Sequence, residues 1–268
     1  MSAALHAPTA PGAIFAELHR RQPILASLGW AMLALLLLCL AAAAIDPRQF
    51  NGVSVWAKPA KFAASFIPWF WTLAWAWGVL APAAARSVPA QSILWGTVAA
   101  ALFEQAWITW RAAFGLPSHF AEDPLGGVMY GLMGLGAVTL VALAALLGLL
   151  VLLRPRADQP RPWVLAVGLG LLLGGVLGGI SGATISVLGS PHLGGTASNA
   201  GGFAPFFWSR DGGDLRIAHF LGVHAMQALP ILALLGAGSR GVLLGAAGWT
   251  VLTAAAFALA LRGVPLSP

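Results

Sequence analysis

Residues 124–153 read PLGGVMYGLMGLGAVTLVALAALLGLLVLL, a run of 30 residues without one charged side chain. A helix needs about 20 apolar residues to cross the hydrocarbon core of a bilayer, so this stretch predicts a transmembrane helix. Six other apolar stretches of comparable length lie near residues 23–45, 61–85, 89–112, 162–188, 216–236 and 240–261. The sequence therefore predicts an all-α, polytopic membrane bundle of about seven transmembrane helices, forming a single domain over residues 23–262.

Composition supports this class and excludes others. Hydrophobic residues make up 59% of the 268 residues and charged residues only 8%, whereas a soluble domain carries about 25% charged residues. We therefore expect the lipid bilayer to be the main partner. No basic stripe with interleaved aromatic residues is present, which argues against nucleic acid. Cys39 is the single cysteine, so an intrachain disulfide and a cysteine-based metal site are both excluded.

Basic residues at the ends of the apolar stretches bear on orientation. Arg20 and Arg21 fall on the same predicted side as the cluster of Arg154, Arg156 and Arg161. Cytoplasmic loops carry an excess of Lys and Arg, so we expect residues 1–22 to form a cytoplasmic tail. The opposite side holds as many cations, but these are mixed with acids and histidines. That mixture indicates a functional site at a periplasmic face, which includes the extracytoplasmic loop at residues 189–215.

Polar residues concentrate in the first, third and fifth loops, which share one side of a seven-span bundle. The first loop is expected to carry Asp46, Arg48, Trp56, Lys58 and Lys61, the third Arg111, Ser118, His119, Glu122 and Asp123, and the fifth His192, Trp208, Arg210, Asp211, Asp214 and Arg216. The second and sixth loops are short and the fourth is a basic connector. The chemistry of the protein is therefore expected at one face.

Two of the predicted spans carry polar groups inward from that face. Glu104 lies seven residues before Arg111, which places it on the same helix side and about 10 Å deeper. Asp214 occupies an N-cap position, and His224 lies about 12 Å below Arg216. Charge is costly inside a membrane and usually functional there. We therefore predict that Glu104 and His224 lie at one depth, within reach of a hydrogen bond or a shared ion.

These residues divide into three expected roles. The predicted catalytic residues are Glu104, His224 and Asp214; the predicted cofactor-binding residues are Arg216, Lys58, Lys61, Trp208 and Arg111; and the predicted metal ligands are His219, His224, His119 and Glu104. Neutral imidazoles suit zinc, copper or haem iron, so a transition metal or haem is the expected cofactor. The cations at the mouth suit a carboxylate, a phosphate or a haem propionate. One span alone holds histidines, which is unusual for bis-histidine haem ligation.

Glycines repeat along the predicted fifth span. Gly170, Gly174, Gly178 and Gly182 are spaced by four residues, and Gly175 and Gly179 form a parallel row. Small residues at this spacing let two helix backbones approach closely in a membrane. The pattern predicts that close helix packing is the main task of this span.

Three segments resemble an uncharacterised family of bacterial multi-pass membrane proteins. They are Trp56-Ala-Lys-Pro-Ala-Lys-Phe62, Pro117-Ser-His-Phe120 and Gly213-Asp-Leu-Arg-Ile-Ala-His-Phe-Leu-Gly-Val-His224. The resemblance covers most of the chain and implies a location in the bacterial inner membrane. It implies no activity.

Three function classes follow from this pattern. The first is a metal- or haem-dependent membrane protein with redox or hydrolytic chemistry. The second is a proton-coupled transporter or channel that uses Glu104 and His224 as a relay. The third is a scaffold or assembly subunit whose polar face docks a membrane-protein partner.

Topology gives the first testable prediction. Reporter domains fused after residue 158 and after residue 200 should report opposite sides of the membrane, because the first position lies in the basic connector and the second in the polar fifth loop. The measurement is the activity of paired reporters that are active on only one side. The same side for both fusions would contradict both the seven-span topology and the shared polar face.

Overall fold

The computed structural model describes residues 11–119 and 123–266, and its regular structure is almost entirely helical. In chain order the elements are α1 (Pro11–Arg21), α2 (Pro23–Ile45), β1 (Gln49–Phe50), β2 (Val53–Ser54), α3 (Ala57–Trp77), α4 (Pro82–Ala85), α5 (Val88–Ala113), α6 (Pro124–Leu153), α7 (Arg161–Leu188), β3 (His192–Leu193), β4 (Gly213–Asp214), α8 (Leu215–Leu234) and α9 (Ser239–Leu261). The two-residue strands form two antiparallel pairs, β1 with β2 and β3 with β4.

Within the described residues, five helices are long and apolar enough to cross a membrane: α2, α6, α7, α8 and α9. Helices α3 and α5 contain 21 and 26 residues, which is sufficient length. They are less apolar, because α3 carries two lysines and four tryptophans and α5 carries Glu104, Gln105 and Arg111. The protein is thus a helical membrane bundle with five candidate spans, and the predicted count of seven is not confirmed.

The helix bounds differ from the predicted stretches chiefly at two places. The stretch at 61–85 contains most of α3, which begins four residues earlier at Ala57, then a turn and the short α4. The turn is held by the loop after α6, since the amide of Ala81 donates to the carbonyl of Arg154 and the amide of Arg156 donates to the carbonyl of Val79. At the N-terminus, residues 11–21 of the predicted tail form a helix, and the guanidinium of Arg21 donates to the carbonyl of Trp75.

Helix α7 lies between α6 and α8 and also contacts α9. Both glycine rows of α7 are contact surfaces. A Cβ atom added at Gly170 or Gly174 would lie 2.9 or 3.0 Å from a carbonyl oxygen of α8, whereas one added at Gly175 would meet the backbone of Val141 in α6. The predicted close packing is confirmed, with one row for each neighbouring helix.

A pair of glycine substitutions tests this packing. A Cβ at Gly222 in α8 would lie 2.7 Å from the backbone nitrogen of Gly178, whereas one at Gly248 in α9 would meet nothing within 4 Å. Gly222→Ala should therefore force α7 and α8 apart and lower the free energy of unfolding by about 1–3 kcal/mol, as overpacking does. Gly248→Ala should leave stability unchanged or raise it, because Ala favours a helix over Gly.

The measurement is the thermal unfolding of both variants in the same detergent, followed by size-exclusion chromatography with fluorescence detection. Equal stability of the two variants would contradict the close contact between α7 and α8.

Candidate functional site

The first, third and fifth loops meet at one end of the bundle, hereafter the polar end. The guanidinium of Arg48 in the first loop donates to the carbonyl of Ala113, the last residue of α5 before the third loop, at 3.1 Å. Gly52 in the first loop packs against Ala200 in the fifth so closely that a Cβ at Gly52 would lie 2.5 Å from the Ala200 side chain. Gly52 adopts a φ of +77°, a conformation that favours glycine. The polar loops thus form one continuous layer.

Arg216 holds the fifth loop onto the bundle. Its guanidinium donates to the carboxylate of Asp214, to Oδ1 of Asn199 at 2.8 Å, to the carbonyl of Phe207 at 2.8 Å and to Nε2 of His192 at 2.9 Å. A planar guanidinium can serve several fixed acceptors at once. Arg216, predicted to bind a cofactor, is therefore occupied by its own chain.

Asp214, predicted to be catalytic, is also occupied. It is the N-cap of α8, as its sequence position predicted, and its Oδ1 accepts the backbone N–H of Arg216 at 3.0 Å. Its Oδ2 accepts the amide of Ser209 at 2.9 Å. Burial alone would raise the pKa of Asp214, but the hydrogen bonds and positive charge of Arg216 outweigh burial and hold this pKa below its usual range.

Arg111 fixes the third loop in a similar way. It is buried, and it donates to the carbonyl of Pro117 at 2.8 Å and to Oδ2 of Asp123 at 2.7 Å. The indole of Trp107, 5.3 Å from the guanidinium carbon of Arg111, donates to the carbonyl of Ser118 at 3.0 Å. Arg111, predicted to bind a cofactor, contacts its own chain in this structure. Glu122 lies outside the described residues.

Trp208 belongs to an aromatic group over the polar end. Its ring stacks on Phe206 with centroids 4.6 Å apart, and both rings meet Phe220 of α8 edge-on. The neighbouring ring of Phe207 lies 5.2 Å from the ammonium of Lys61. We call Phe206, Phe207 and Trp208 the aromatic cover.

The two histidines of α8 have separate partners. Nδ1 of His219 donates to the carbonyl of Gly178 in α7 at 2.9 Å. Nδ1 of His224 lies 3.0 Å from Oε1 of Gln227, whose amide donates to the hydroxyl of Thr72 in α3. His219 and His224 therefore bridge α8 to different helices, as their angular separation on one helix suggests.

The predicted hydrogen bond between Glu104 and His224 is not found among the described residues. Spacing along each helix indicates depth but not which helices are neighbours. Helix α5 packs against α3 and α6, whereas α8 packs mainly against α7 and α9. Equal depth on two helices is therefore not sufficient for a direct hydrogen bond between them.

The expected metal ligands are not gathered either. Residues 11–119 and 123–266 contain no group of three or more His, Cys, Asp or Glu side chains that could hold a metal ion. His119 lies in the third loop, His219 contacts α7 and His224 contacts Gln227.

Glu104 instead has other neighbours from the predicted set. Its side chain is buried between α5 and α6, with Oε1 so close to Gly136 that a Cβ there would lie 2.5 Å away. This oxygen has no hydrogen-bond partner among the described residues. The ammonium of Lys58, in the first turn of α3, is near enough to interact electrostatically with Glu104. The same ammonium interacts electrostatically with His119.

His119 completes what we call the Glu104 cluster, made of Glu104, Lys58 and His119. The imidazole ring of His119 lies between the rings of Phe62 in α3 and Tyr130 in α6, with centroid distances of 6.3 and 6.0 Å. Burial, reinforced by the positive charge of Lys58, lowers the pKa of His119 to about 3. The imidazole is therefore neutral near pH 7.

Two neighbours of this cluster were missed in the sequence. Gly136 is one of many glycines in α6, and no local pattern marks it as the residue against Glu104. Gln105 donates to the carbonyl of Pro59 and to the hydroxyl of Thr109, and so ties α5 to the first turn of α3. The available signal was the position of Gln105 next to a glutamate within a mainly apolar helix.

No family model, curated protein or solved structure matches this chain. The assignment of function therefore depends on the geometry of the polar end and of the Glu104 cluster.

The contact between His192 and Arg216 makes the fifth loop sensitive to pH. Nε2 of His192 accepts from Arg216, so this nitrogen must be unprotonated. Burial and the charge of Arg216 lower the pKa of His192, against the opposing charges of Asp214 and Asp211. His192 therefore binds a proton more readily when the fifth loop is released from Arg216 than when the loop is docked against it. Docking is fully stable above about pH 6.5, the ordinary histidine pKa, and weakens as the pH falls.

Amide hydrogen exchange over residues 192–214 tests this prediction at pH 7.5 and pH 5, after correction for intrinsic exchange rates. Exchange should accelerate at pH 5 by up to about tenfold for each unit by which the His192 pKa is lowered. His192→Gln keeps an acceptor but removes the titration, so its exchange should change less. Equal acceleration in both proteins would show that His192 is not the group responsible.

Proposed function

We propose that this protein is a proton-coupled transporter or channel for a small solute, with Glu104 as the proton-binding group. We place it in the bacterial inner membrane with about seven spans, a cytoplasmic N-terminus and the polar end in the periplasm. The observation that carries the proposal is the buried carboxylate of Glu104, whose Oε1 has no hydrogen-bond partner among the described residues.

A buried carboxylate is expected to have either hydrogen-bond partners that stabilise the fold or a functional role. The buried acid Asp214 shows the first case, because it accepts hydrogen bonds from Arg216 and Ser209. Glu104 has no comparable donor on Oε1 in the described part of the chain. An unsatisfied polar group of this kind is costly in a low-dielectric interior. Ionisable residues at such positions commonly mark proton relays in pumps and transporters.

The position of Glu104 also favours a relay from the polar end. It lies nine residues before the end of α5, which corresponds to a depth of about 14 Å. Lys58 enters from the polar end at the first turn of α3 and interacts electrostatically with Glu104 and His119. Lys58 thus places a positive charge between the polar end and Glu104, as a relay from that end would use.

The other two functions expected from the sequence have less support. His219 and His224 are engaged with Gly178 and Gln227, and no ligand group for a metal is formed within the described residues. The structure therefore offers less support for the predicted metal site than for a use of Glu104. A scaffold role would require no buried carboxylate, so Glu104 argues for transport instead.

Proteoliposomes that contain a pH-sensitive dye provide the test. A potassium gradient with valinomycin sets the membrane potential, and small organic acids and neutral solutes are added outside one at a time. At least one solute should drive proton entry in the wild type above that of empty liposomes. Glu104→Gln should reduce the rate by about 10²-fold or more, the range for loss of a proton-transferring side chain.

Asp158→Asn is the matched control. Asp158 is an exposed carboxylate in the connector between α6 and α7 and pairs with Arg156, so its loss should leave proton entry unchanged. Wild-type rates in Glu104→Gln would overturn the role of Glu104. Rates equal to those of empty liposomes for every solute would overturn the transport function.

A further inference from the structure

We infer that Lys58 and Lys61 form a binding site for the anionic group of an amphipathic molecule, whose apolar part lies against the aromatic cover. This inference rests on the proposed transport function, because it takes the bound anion to be the solute that is transported. The anionic group is a carboxylate or phosphate, supplied by a free organic acid or by an anionic lipid head group.

Positive charge accumulates at this place. Lys58, Lys61 and Arg216 are mutual electrostatic neighbours, and the nearby acids are Glu104 and Asp214. The carboxylate of Asp214 is already bound by Arg216 and by the amide of Ser209. Within the described part of the chain, the positive charge of the two lysines is therefore offset by little negative charge.

The hydrogen-bonding capacity of the lysines is also largely unused. Arg216 serves Asp214, Asn199, His192 and Phe207 as described above. The ammonium of Lys61 has one long contact, 3.5 Å from the carbonyl of Phe206, which is at the limit of a hydrogen bond. Lys58 makes no hydrogen bond to any described residue. Each ammonium has three N–H donors, so oxygen atoms of one anion can satisfy both lysines.

The placement of the lysines suits a single anion. They are three residues apart in α3, which puts them on the same face of the helix. Both side chains are half-buried, so they differ from lysines that extend freely into water. The N-cap residue Trp56 makes no side-chain hydrogen bond to the first turn of α3 in the described structure. The partial positive charge of that helix end therefore adds to the attraction.

The aromatic cover indicates the rest of the molecule. Phe207 lies 5.2 Å from the Lys61 ammonium, and Phe206 and Trp208 are stacked beside it. A free phosphate would contact the lysines but gain nothing from these rings. An anion with an aromatic or aliphatic body would contact the rings and the lysines together.

Equilibrium dialysis of radiolabelled benzoate against the full-length protein in nanodiscs tests the site. In discs of zwitterionic phosphatidylcholine, the wild type should bind benzoate. Lys58→Gln and Lys61→Gln should each weaken binding by about tenfold or more, the effect of losing one charge-assisted hydrogen bond. The matched control Arg86→Gln removes an exposed cation from the opposite end of the bundle and should bind as the wild type does.

Discs that contain phosphatidylglycerol distinguish the two sources. Benzoate binding that persists in these discs identifies a free organic acid. Loss of benzoate binding, with phosphatidylglycerol retained by the wild type but not by Lys58→Gln, identifies a lipid head group. Either result supports the anion site. Benzoate binding in both lysine variants as tight as in Arg86→Gln, or no binding of either anion to the wild type, would overturn it.

Glu104→Gln separates this inference from the proposed function. It should slow proton entry by about 10²-fold or more while retaining benzoate or lipid binding, since Glu104 is not one of the two binding residues. Retained proton entry in Glu104→Gln would overturn the relay and leave the anion site standing.

Discussion

The close approach of α7 to α6 and α8 is the contact on which the rest of the bundle depends. Lipid gives helices little hydrophobic reason to associate, so tight van der Waals contact between backbones must hold them. The two glycine rows of α7 provide that contact on two sides. They fix α8, and α8 in turn presents Asp214 and Arg216 at the polar end and His219 to the carbonyl of Gly178. The architecture of the polar end is therefore set by small residues buried in the membrane part.

Arginine and lysine have different tasks at the polar end. Arg48, Arg111 and Arg216 each contact carbonyl or carboxylate groups of a loop and fix that loop to a helix. The rigid fork of a guanidinium suits several fixed acceptors, whereas an ammonium is a flexible point charge. Lys58 and Lys61 have few fixed partners within the described residues. A charge that the fold does not use for its own stability is the better candidate for binding something else.

The sequence predicted the bounds of the helices far better than it predicted which helices pack against each other. The bounds of α2 and α6 coincide with the predicted apolar stretches, because a long uncharged run admits one structure in lipid. The turn between α3 and α4 was missed, since it depends on hydrogen bonds to the distant residues 154–156. The predicted hydrogen bond between Glu104 and His224 is not found among the described residues, for a related reason. Helical spacing gives depth and angle on one helix, but the order of helices around the bundle is a property of packing.

Lys58 couples the proposed proton site electrostatically to the proposed anion site. Its ammonium interacts electrostatically with Glu104 and, with Lys61, belongs to the proposed anion site. An anion bound to Lys58 offsets the positive charge that Glu104 faces, so a proton on Glu104 and an anion on Lys58 favour each other. Such coupling is reciprocal by thermodynamic necessity. Proton and anion would then enter the protein together, and the complex would carry less net charge into the low-dielectric part of the membrane than either ion alone.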